Sequence, residues 1–373
     1  MPPLHRRDWL KQSALAAFSL GISLKPIAGE DYLPRNIEAP AGLLNLGANE
    51  NPYGISPMAR KAIIDIIDQS NRYSFNVASL QSFRKEIADY YKVNEDQVLV
   101  TAGSGEGLKL LARHFSNGNL VTATPTFGIL PSTAKKIGTE VIEIPLNEGK
   151  VHQLDLMLKS VTDKTALVYI CNPANPTATI VSPSSLKNFC IEASKKAVVL
   201  IDEAYIDFLN PPDNESMIGL IDKHPNVLIT RTFSKIHGMA GLRVGFLIGD
   251  AKLLDKLDKQ YFQNTQFAIS NLSIAAAMAS LKDEEHRKSS REKNAVARDY
   301  TFRELTQLKY KVIPSYTNFM FFHLPGYKGD FSDDMYKKNI ILRSDSYPDG
   351  HWARVSIGLK GEMERFVAEM KAI

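Results

Sequence analysis

The chain has 373 residues, enough for one large domain and a smaller one. Its formal net charge is only +4, so the composition suggests no nucleic-acid partner. The two cysteines, Cys171 and Cys190, could pair in an oxidising compartment, but we expect two buried free thiols.

The amino terminus resembles a twin-arginine export signal. Arg6 and Arg7 are followed by Trp9 and then by a mildly apolar run, residues 13–24. That run is too short to span a bilayer and no cysteine follows it, so we expect no stable membrane anchor. We predict a signal peptide over residues 1–28, ending at Ala28, and an exported or periplasmic protein. The alternative is a frayed basic helix on a cytoplasmic protein.

Two strand signals then lead into ligand-binding sequence. The apolar run 98–100 precedes a turn with Gly103, Gly105 and Gly107 and then an amphipathic helix, whose first N–H groups would bind an anion. The glycine spacing matches neither the dinucleotide fingerprint nor a P-loop. A second run, 120–123, precedes Phe127, which could stack on a flat ring or pack in the core.

Two further apolar runs end in polar residues. Residues 166–171 lead to an Asn-Pro-Ala-Asn-Pro turn, which leaves Asn175 free to bind a ligand. Residues 198–201 lead to Asp202, at the strand end where open α/β sheets bind ligands. A carboxylate there can keep a pyridine nitrogen protonated, and Tyr205 can donate to a ring oxygen.

Lys235 and Arg243 indicate the kind of ligand, although Ser234-Lys235 taken alone is also typical of a solvated surface pair. A deprotonated lysine forms a Schiff base with a carbonyl cofactor, and an arginine binds a phosphate through two parallel hydrogen bonds. An aldehyde and a phosphate on one small molecule describe pyridoxal 5′-phosphate (PLP), an electron sink for carbanions. The sequence predicts this cofactor and no metal site.

Strand and helix signals alternate from about residue 57 to residue 269. This alternation predicts an α/β fold with a mostly parallel sheet between helices. Residues 282–308 have the pattern of a long exposed helix. Short strand signals at 319–322, 340–343 and 353–357, with two helices, predict a smaller second layer.

Taken together, the strand-end features resemble the fold-type I PLP enzymes of the class I and II aminotransferase family. Four stretches resemble its histidinol-phosphate aminotransferase group: residues 48–54, Arg72-Tyr73, residues 171–177 and residues 354–358. The resemblance covers about residues 40–373. It implies a homodimer with the active site between two domains and at the subunit interface.

The resemblance also implies a role for each candidate residue. The catalytic residues would be Lys235, which holds PLP and shuttles the proton, Asp202 on the ring nitrogen and Tyr205, which with Asn175 contacts the phenolic oxygen. Phe127 would stack on the ring, where the family usually has tyrosine. The phosphate would be bound by Gly105, Glu106, Thr232, Ser234, Arg243 and, from the neighbouring subunit, Tyr73. Arg354 would bind the anionic end of the substrate with Arg343 assisting, and Asn51 would also bind the substrate.

The sequence departs from the family pattern at three sites. Gly105 stands where aspartate is usual, and Ala178 stands where glycine is usual. Ser74-Phe75 replaces Pro-Asp in a segment that lines the substrate pocket across the dimer.

The predicted function is transfer of an amino group between an amino acid or a histidinol-phosphate-like amino alcohol phosphate and a 2-oxo acid. The alternative is a PLP-dependent decarboxylase or lyase of the phosphothreonine decarboxylase type. A non-catalytic PLP-binding protein is disfavoured because Lys235 and Asp202 are both present. The predicted domains after the signal are an amino-terminal segment packing on the small domain (29–56), a large PLP-binding domain (57–275) and the small domain (276–373).

Export fits the cofactor, since the twin-arginine route carries proteins that have already folded around one. Export also argues against routine histidine biosynthesis.

Overall fold

The structure is a computed structural model that describes residues 42–73, 77–211, 215–262 and 268–372. Leu43–Ile373 form one compact unit. The predicted signal peptide and the Ser74-Phe75 departure lie outside the described residues.

The strands are β1 Leu44–Asn45, β2 Val98–Thr101, β3 Asn119–Thr124, β4 Val141–Pro145, β5 Thr165–Cys171, β6 Val198–Asp202, β7 Val227–Thr232, β8 Gly245–Ile248, β9 Val312–Ile313, β10 Phe319–His323, β11 Ile340–Ile341, β12 Arg343–Tyr347 and β13 Gly350–Ser356. The helices are α1 Pro57–Ile66, α2 Val77–Tyr91, α3 Ser104–His114, α4 Ile129–Lys136, α5 Leu154–Ser160, α6 Pro183–Ala193, α7 Ala251–Leu257, α8 Asn271–Lys282, α9 Glu284–Gln307, α10 Phe331–Lys337 and α11 Lys360–Met370.

The central sheet has seven strands in the order β2-β8-β7-β6-β5-β3-β4. Only β8 runs antiparallel to its neighbours, so the predicted mostly parallel α/β sheet is confirmed. Its strands are apolar on both faces because helices cover both: α2, α6 and α8 on one side, α3, α4 and α7 on the other. The carboxyl ends of β2, β3, β5, β6 and β7 therefore meet at one edge of the sheet.

A second, antiparallel sheet has the order β12-β13-β10-β9. One of its faces packs on α9, α10 and α11 around Phe322, Val355 and Phe366. The short strand β1 pairs in parallel with β11 and so joins the segment before the central sheet to this part of the chain. The predicted boundary between residues 275 and 276 stays a prediction.

Two predicted elements differ in detail. The strand expected at 340–343 is divided, because β11 ends at Ile341 and β12 begins at Arg343. The helix expected to be exposed is α9, but it has a buried stripe that includes the polar residues Arg287 and Asn294. Because several residues on this stripe are polar, the hydrophobic pattern of the sequence did not indicate that it is buried. Both cysteines are buried free thiols, as expected.

Across the described ranges, no helix combines the length and the apolar character needed to cross a membrane.

Candidate active site

A cleft of about 350 Å³ lies at the carboxyl edge of the central sheet, facing residues 47–50 and the β12–β13 hairpin. Eleven of the predicted site residues line it: Gly105, Phe127, Asn175, Asp202, Tyr205, Thr232, Ser234, Lys235, Arg243, Arg343 and Arg354. The structure thus brings together residues from five strand ends and from the distant hairpin.

Lys235 lies in the loop between β7 and β8. Its Nζ donates to the carbonyl oxygens of Ala48, at 3.3 Å, and Asn49, at 3.1 Å. Burial, with a further contribution from the positive charge of Arg354, lowers the pKa of the Lys235 amine to about 8. A larger share of the amine is therefore deprotonated near neutral pH than in an exposed lysine, which is the form that attacks a carbonyl carbon.

Asp202 ends β6 and is buried. Burial raises the pKa of its carboxyl group to about 6, against the hydrogen bonds from the Tyr169 hydroxyl and the Ala204 N–H. The Tyr169 hydroxyl donates to Oδ2 at 3.0 Å, and the Ala204 N–H donates to Oδ1 at 3.2 Å. The carboxylate is therefore mostly ionised at neutral pH and held in one orientation.

The Tyr205 hydroxyl is oriented by two amides. Asn49 Nδ2 donates to it at 3.0 Å and Asn175 Nδ2 donates at 3.2 Å. The amide oxygens are occupied in turn, because Arg354 donates to Asn175 Oδ1 and Ser356 donates to Asn49 Oδ1. Both described partners of the Tyr205 hydroxyl are donors, so its own hydrogen is available to a ligand oxygen.

An anion site lies between the start of α3 and Arg243. The Arg243 guanidinium donates to Ser234 Oγ at 3.3 Å, and Thr232 Oγ1 donates to Ser234 Oγ at 3.0 Å. Gly103, just before α3, has a φ of +79°, and a Cβ there would overlap the Arg243 guanidinium. A cation, two hydroxyl groups and a helix start around one point fit a phosphate.

Three predicted site residues do not line this cleft, and the contact predicted for Tyr73, across a dimer interface, stays a prediction. The Glu106 N–H donates to the Gly103 carbonyl, and its carboxylate accepts from the Ala102 N–H, so Glu106 closes the turn instead of lining the cleft. Asn51 donates to the Ile236 carbonyl at 2.8 Å and braces the loop that carries Lys235. Tyr73 is 76% exposed.

The prediction from sequence missed Asn49 and Tyr169. Asn49 belongs to the stretch 48–54 that carried the family resemblance, but its role depends on Tyr205, which is 156 positions away. Tyr169 sits inside an apolar strand, where a core residue was the natural expectation. Its hydroxyl was the only signal that it had a polar partner.

The donor set fits PLP. Lys235 would take the aldehyde, Asp202 the ring nitrogen and Tyr205 the phenolic oxygen. Ser234, Arg243 and the start of α3 would hold the phosphate. Each side chain is oriented by neighbours within this chain, so the cleft is preorganised for such a ligand.

Comparison with known proteins agrees with this geometry. The model of the family described as aminotransferase class I and II matches residues 41–370. A histidinol-phosphate aminotransferase from Halalkalibacterium halodurans is 33% identical over 335 residues, covering 88% of each chain.

Solved structures show the same fold. That of histidinol-phosphate aminotransferase from Sinorhizobium meliloti in complex with PLP has a TM-score of 0.80 at 24% identity, covering 87% of this chain and 89% of that one. L-threonine-O-3-phosphate decarboxylase from Porphyromonas gingivalis has a TM-score of 0.75 at 19% identity, covering 88% and 99%. The chain belongs to the class I and II aminotransferase family, with PLP as its cofactor.

Proposed function

We propose that this enzyme transfers an amino group between a 2-oxo acid and an amino compound that carries an anionic group, of the histidinol phosphate kind. The observation that carries the proposal is a pair of arginines on the β12–β13 hairpin. Arg343 and Arg354 are directly opposite each other in the antiparallel register, and both line the cleft.

Two like charges directly opposite each other destabilise a strand pair unless an anion lies between them. Burial, and to a lesser degree the charge of Arg343, lowers the pKa of Arg354. Arg354 donates from Nη1 to Asn175 and from Nη2 to the Gly47 carbonyl. Its Nε is buried and has no hydrogen-bond partner among the described residues. A carboxylate or phosphate bound beside the pair would offset the repulsion between the two arginines and would give the Arg354 Nε a hydrogen-bond acceptor.

The remaining residues supply the chemistry of amino transfer. Bound PLP would provide the electron sink for a carbanion. Asp202 is ionised and keeps a positive charge stable at the ring nitrogen. Lys235 holds and moves the proton at its Nζ, and Tyr205 donates a hydrogen bond to the ring oxygen.

Amino transfer is favoured over decarboxylation because a relative 33% identical over 88% of this chain is an aminotransferase, whereas the decarboxylase shares only the fold. Incubation of the purified enzyme with single amino donors separates the two. Formation of pyridoxamine phosphate without carbon dioxide supports the proposal, and release of carbon dioxide as the main product contradicts it.

The arginine pair gives a kinetic prediction. Arg354→Ala should weaken kcat/KM for L-histidinol phosphate by roughly 2–4 kcal/mol in transition-state free energy, because it leaves substrate charge unpaired. Arg343 is exposed, so Arg343→Ala should weaken it by only about 1 kcal/mol. Arg354→Lys should not restore the loss, since lysine cannot form the two-pronged contact. Arg113→Ala, an exposed arginine on α3, is the control. If the substrate is a plain monocarboxylate, only Arg354→Ala should lower kcat/KM. Unchanged kinetics in Arg354→Ala would refute the role of Arg354 in binding the anionic group of the substrate.

We also propose a homodimer and export by the twin-arginine route. The dimer is supported by apolar side chains that α1 and the turn after it leave exposed: Met58, Ile64 and Ile67 are 45%, 59% and 51% exposed. Export is supported by the sequence of residues 5–28.

A further inference from the structure

The turn of the β12–β13 hairpin is held by a buried lysine. Lys150, in the loop between β4 and α5, is 6% exposed. Its Nζ lies 2.6 Å from Asp349 Oδ2 in that turn. The same hairpin carries Arg343 and Arg354. The Lys150 ammonium therefore contacts the element that would bind the anionic end of the substrate.

The Lys150 ammonium also contacts an aromatic surface on the hairpin. It lies 4.4 Å from the centroid of Trp352, which stacks on Phe321 at 4.8 Å with the rings nearly parallel. Trp352 is two residues before Arg354 and faces the same side of the sheet, because side chains alternate along a strand. Lys150 therefore contacts both the turn of the hairpin and the strand that leads to Arg354.

The backbone of Lys150 is tied to the turn that contains Asn175. Its carbonyl accepts from Thr179 Oγ1 at 2.8 Å, and the Thr179 carbonyl accepts from the Ala174 N–H at 2.8 Å. Asn175 in turn accepts from Arg354 at 2.6 Å. The hairpin is thus held at two points, through Arg354 and through Asp349, by two loops that are hydrogen-bonded to each other.

We propose that Lys150 is a positioning residue for substrate recognition: its contacts with Asp349 and Trp352 hold the hairpin so that Arg343 and Arg354 face the cleft. This inference rests on the proposed anion-binding function of the two arginines. Lys150 is absent from the cleft lining, so it acts through the hairpin and not on the substrate.

The test uses the full-length chain with Lys150→Met, Asp349→Asn and the double variant. Methionine keeps most of the apolar stem and removes the charge. The ratio of kcat/KM for L-histidinol phosphate to that for L-histidinol should fall about tenfold in each single variant. The double variant should fall no further than Lys150→Met alone, because that variant already removes the contact that Asp349→Asn removes. The loss should lie in KM, and PLP loading should be unchanged, since Lys150 touches no residue of the phosphate cradle.

Two readouts do not depend on activity. Amide hydrogen exchange over Arg343–Ser356 should become faster in Lys150→Met. The chain has two tryptophans, Trp9 and Trp352, so the emission of Trp352 can be followed alone in a Trp9→Phe background. Removing the Lys150 ammonium, which lies over the Trp352 ring, should change that emission.

Two lysines serve as controls. Lys135 forms an exposed ion pair with Glu143 at 2.8 Å, so Lys135→Met removes a comparable charge pair away from the hairpin. Lys311 lies 5.8 Å from the Trp352 centroid and is exposed, so Lys311→Met tests the aromatic contact without the ion pair. Neither variant should change the substrate ratio.

The outcomes separate the two proposals. Unchanged exchange and an unchanged ratio in Lys150→Met, with a reduced ratio in Arg354→Ala, would overturn the positioning role alone. Faster exchange in Lys150→Met, with an unchanged ratio in Arg354→Ala, would instead overturn the proposed function on which it rests. Independent, additive losses in the double variant would contradict the Lys150–Asp349 contact as the cause.

Discussion

At the scale of single residues, the amine of Lys235 decides when the cofactor can be captured. Its pKa is lowered to about 8 by burial and by the charge of Arg354, from an ordinary value of 10.5. The group therefore loses its proton as the pH rises through about 8, and the deprotonated form is the nucleophile.

We predict that PLP capture by the apoprotein accelerates with rising pH, has its midpoint near pH 8 and levels off well above it. Stopped-flow absorbance across a pH series measures this rate. Borohydride reduction followed by peptide mapping should place the cofactor on Lys235, and Lys235→Ala should lose the modification. A midpoint near 10.5, or attachment to a different lysine, would be inconsistent with this assignment.

Single residues also show how far the sequence could be interpreted alone. Asp202, Lys235 and Arg243 could be identified because each is adjacent to a strand, and the carboxyl edge of an open sheet is a general site for ligands. Asn49 and Tyr169 could not be identified, because their roles depend on contacts across the chain. Asn51 was placed with the substrate, but its amide is bonded to the Ile236 carbonyl.

At the scale of elements, the turn from β2 into α3 depends on a glycine. Gly103 has a φ of +79°, and any Cβ there would meet the Arg243 guanidinium. At Gly105, a position where the sequence departs from the family pattern, an added Cβ would contact only the end of the Ile129 side chain, at 3.2 Å. The turn therefore tolerates change at Gly105 more easily than at Gly103.

We predict that Gly103→Ala lowers both stability and cofactor affinity. Gly103 has a backbone conformation, φ 79° and ψ 155°, that is essentially confined to glycine, so alanine there should cost roughly 1–3 kcal/mol in the free energy of unfolding, measured by urea denaturation. Displacement of Arg243 should weaken PLP binding, measured by absorbance titration. Gly138→Ala is the matched control, because Gly138 has a φ of +86° and nothing within 4 Å of its Cβ position. It should lose stability alone; equal PLP affinity in both variants would exclude the steric effect at Gly103.

The order of the elements was largely predictable, because apolar runs and turns alternate clearly along the central sheet. The break between β11 and β12 was not, since Ile340–Arg343 is a continuous strand-like sequence. Its division depends on pairing: β11 pairs with β1, whereas β12 pairs with β13. Pairing between distant segments leaves no periodicity in the sequence.

At the scale of the whole molecule, the exposed side chains of α1 predict the oligomeric state. The protein should sediment as a dimer, and Ile64→Asp should shift it toward the monomer by placing a charge in an apolar contact. Val296→Asp is the matched control, since Val296 on α9 is 61% exposed and Ile64 is 59% exposed. Dissociation by the Val296 change alone would place the interface elsewhere.

The export proposal concerns residues 1–28. Arg6→Lys combined with Arg7→Lys should retain the protein in the cytoplasm, folded and active, because the arginine pair is the feature that the export route recognises. Cell fractionation and activity measurements locate the enzyme. Arg35→Lys is the control for a conservative change outside the signal. Export that continues in the double variant would show that residues 1–28 are not a twin-arginine signal.

The hairpin from Arg343 to Ser356 has a consequence for engineering. The reacting groups reside on the central sheet, whereas both arginines that we propose bind the anionic end of the substrate reside on one continuous segment of 14 residues, β12, its turn and β13. Such a segment can be exchanged as a single cassette without altering Lys235, Asp202 or Tyr205. A replacement that keeps an acid opposite Lys150, an arginine opposite Asn175 and the serine bonded to Asn49 would retain these attachment points and the orientation of Tyr205. New substrate ranges could then be obtained by replacing this hairpin while the catalytic residues on the central sheet stay the same.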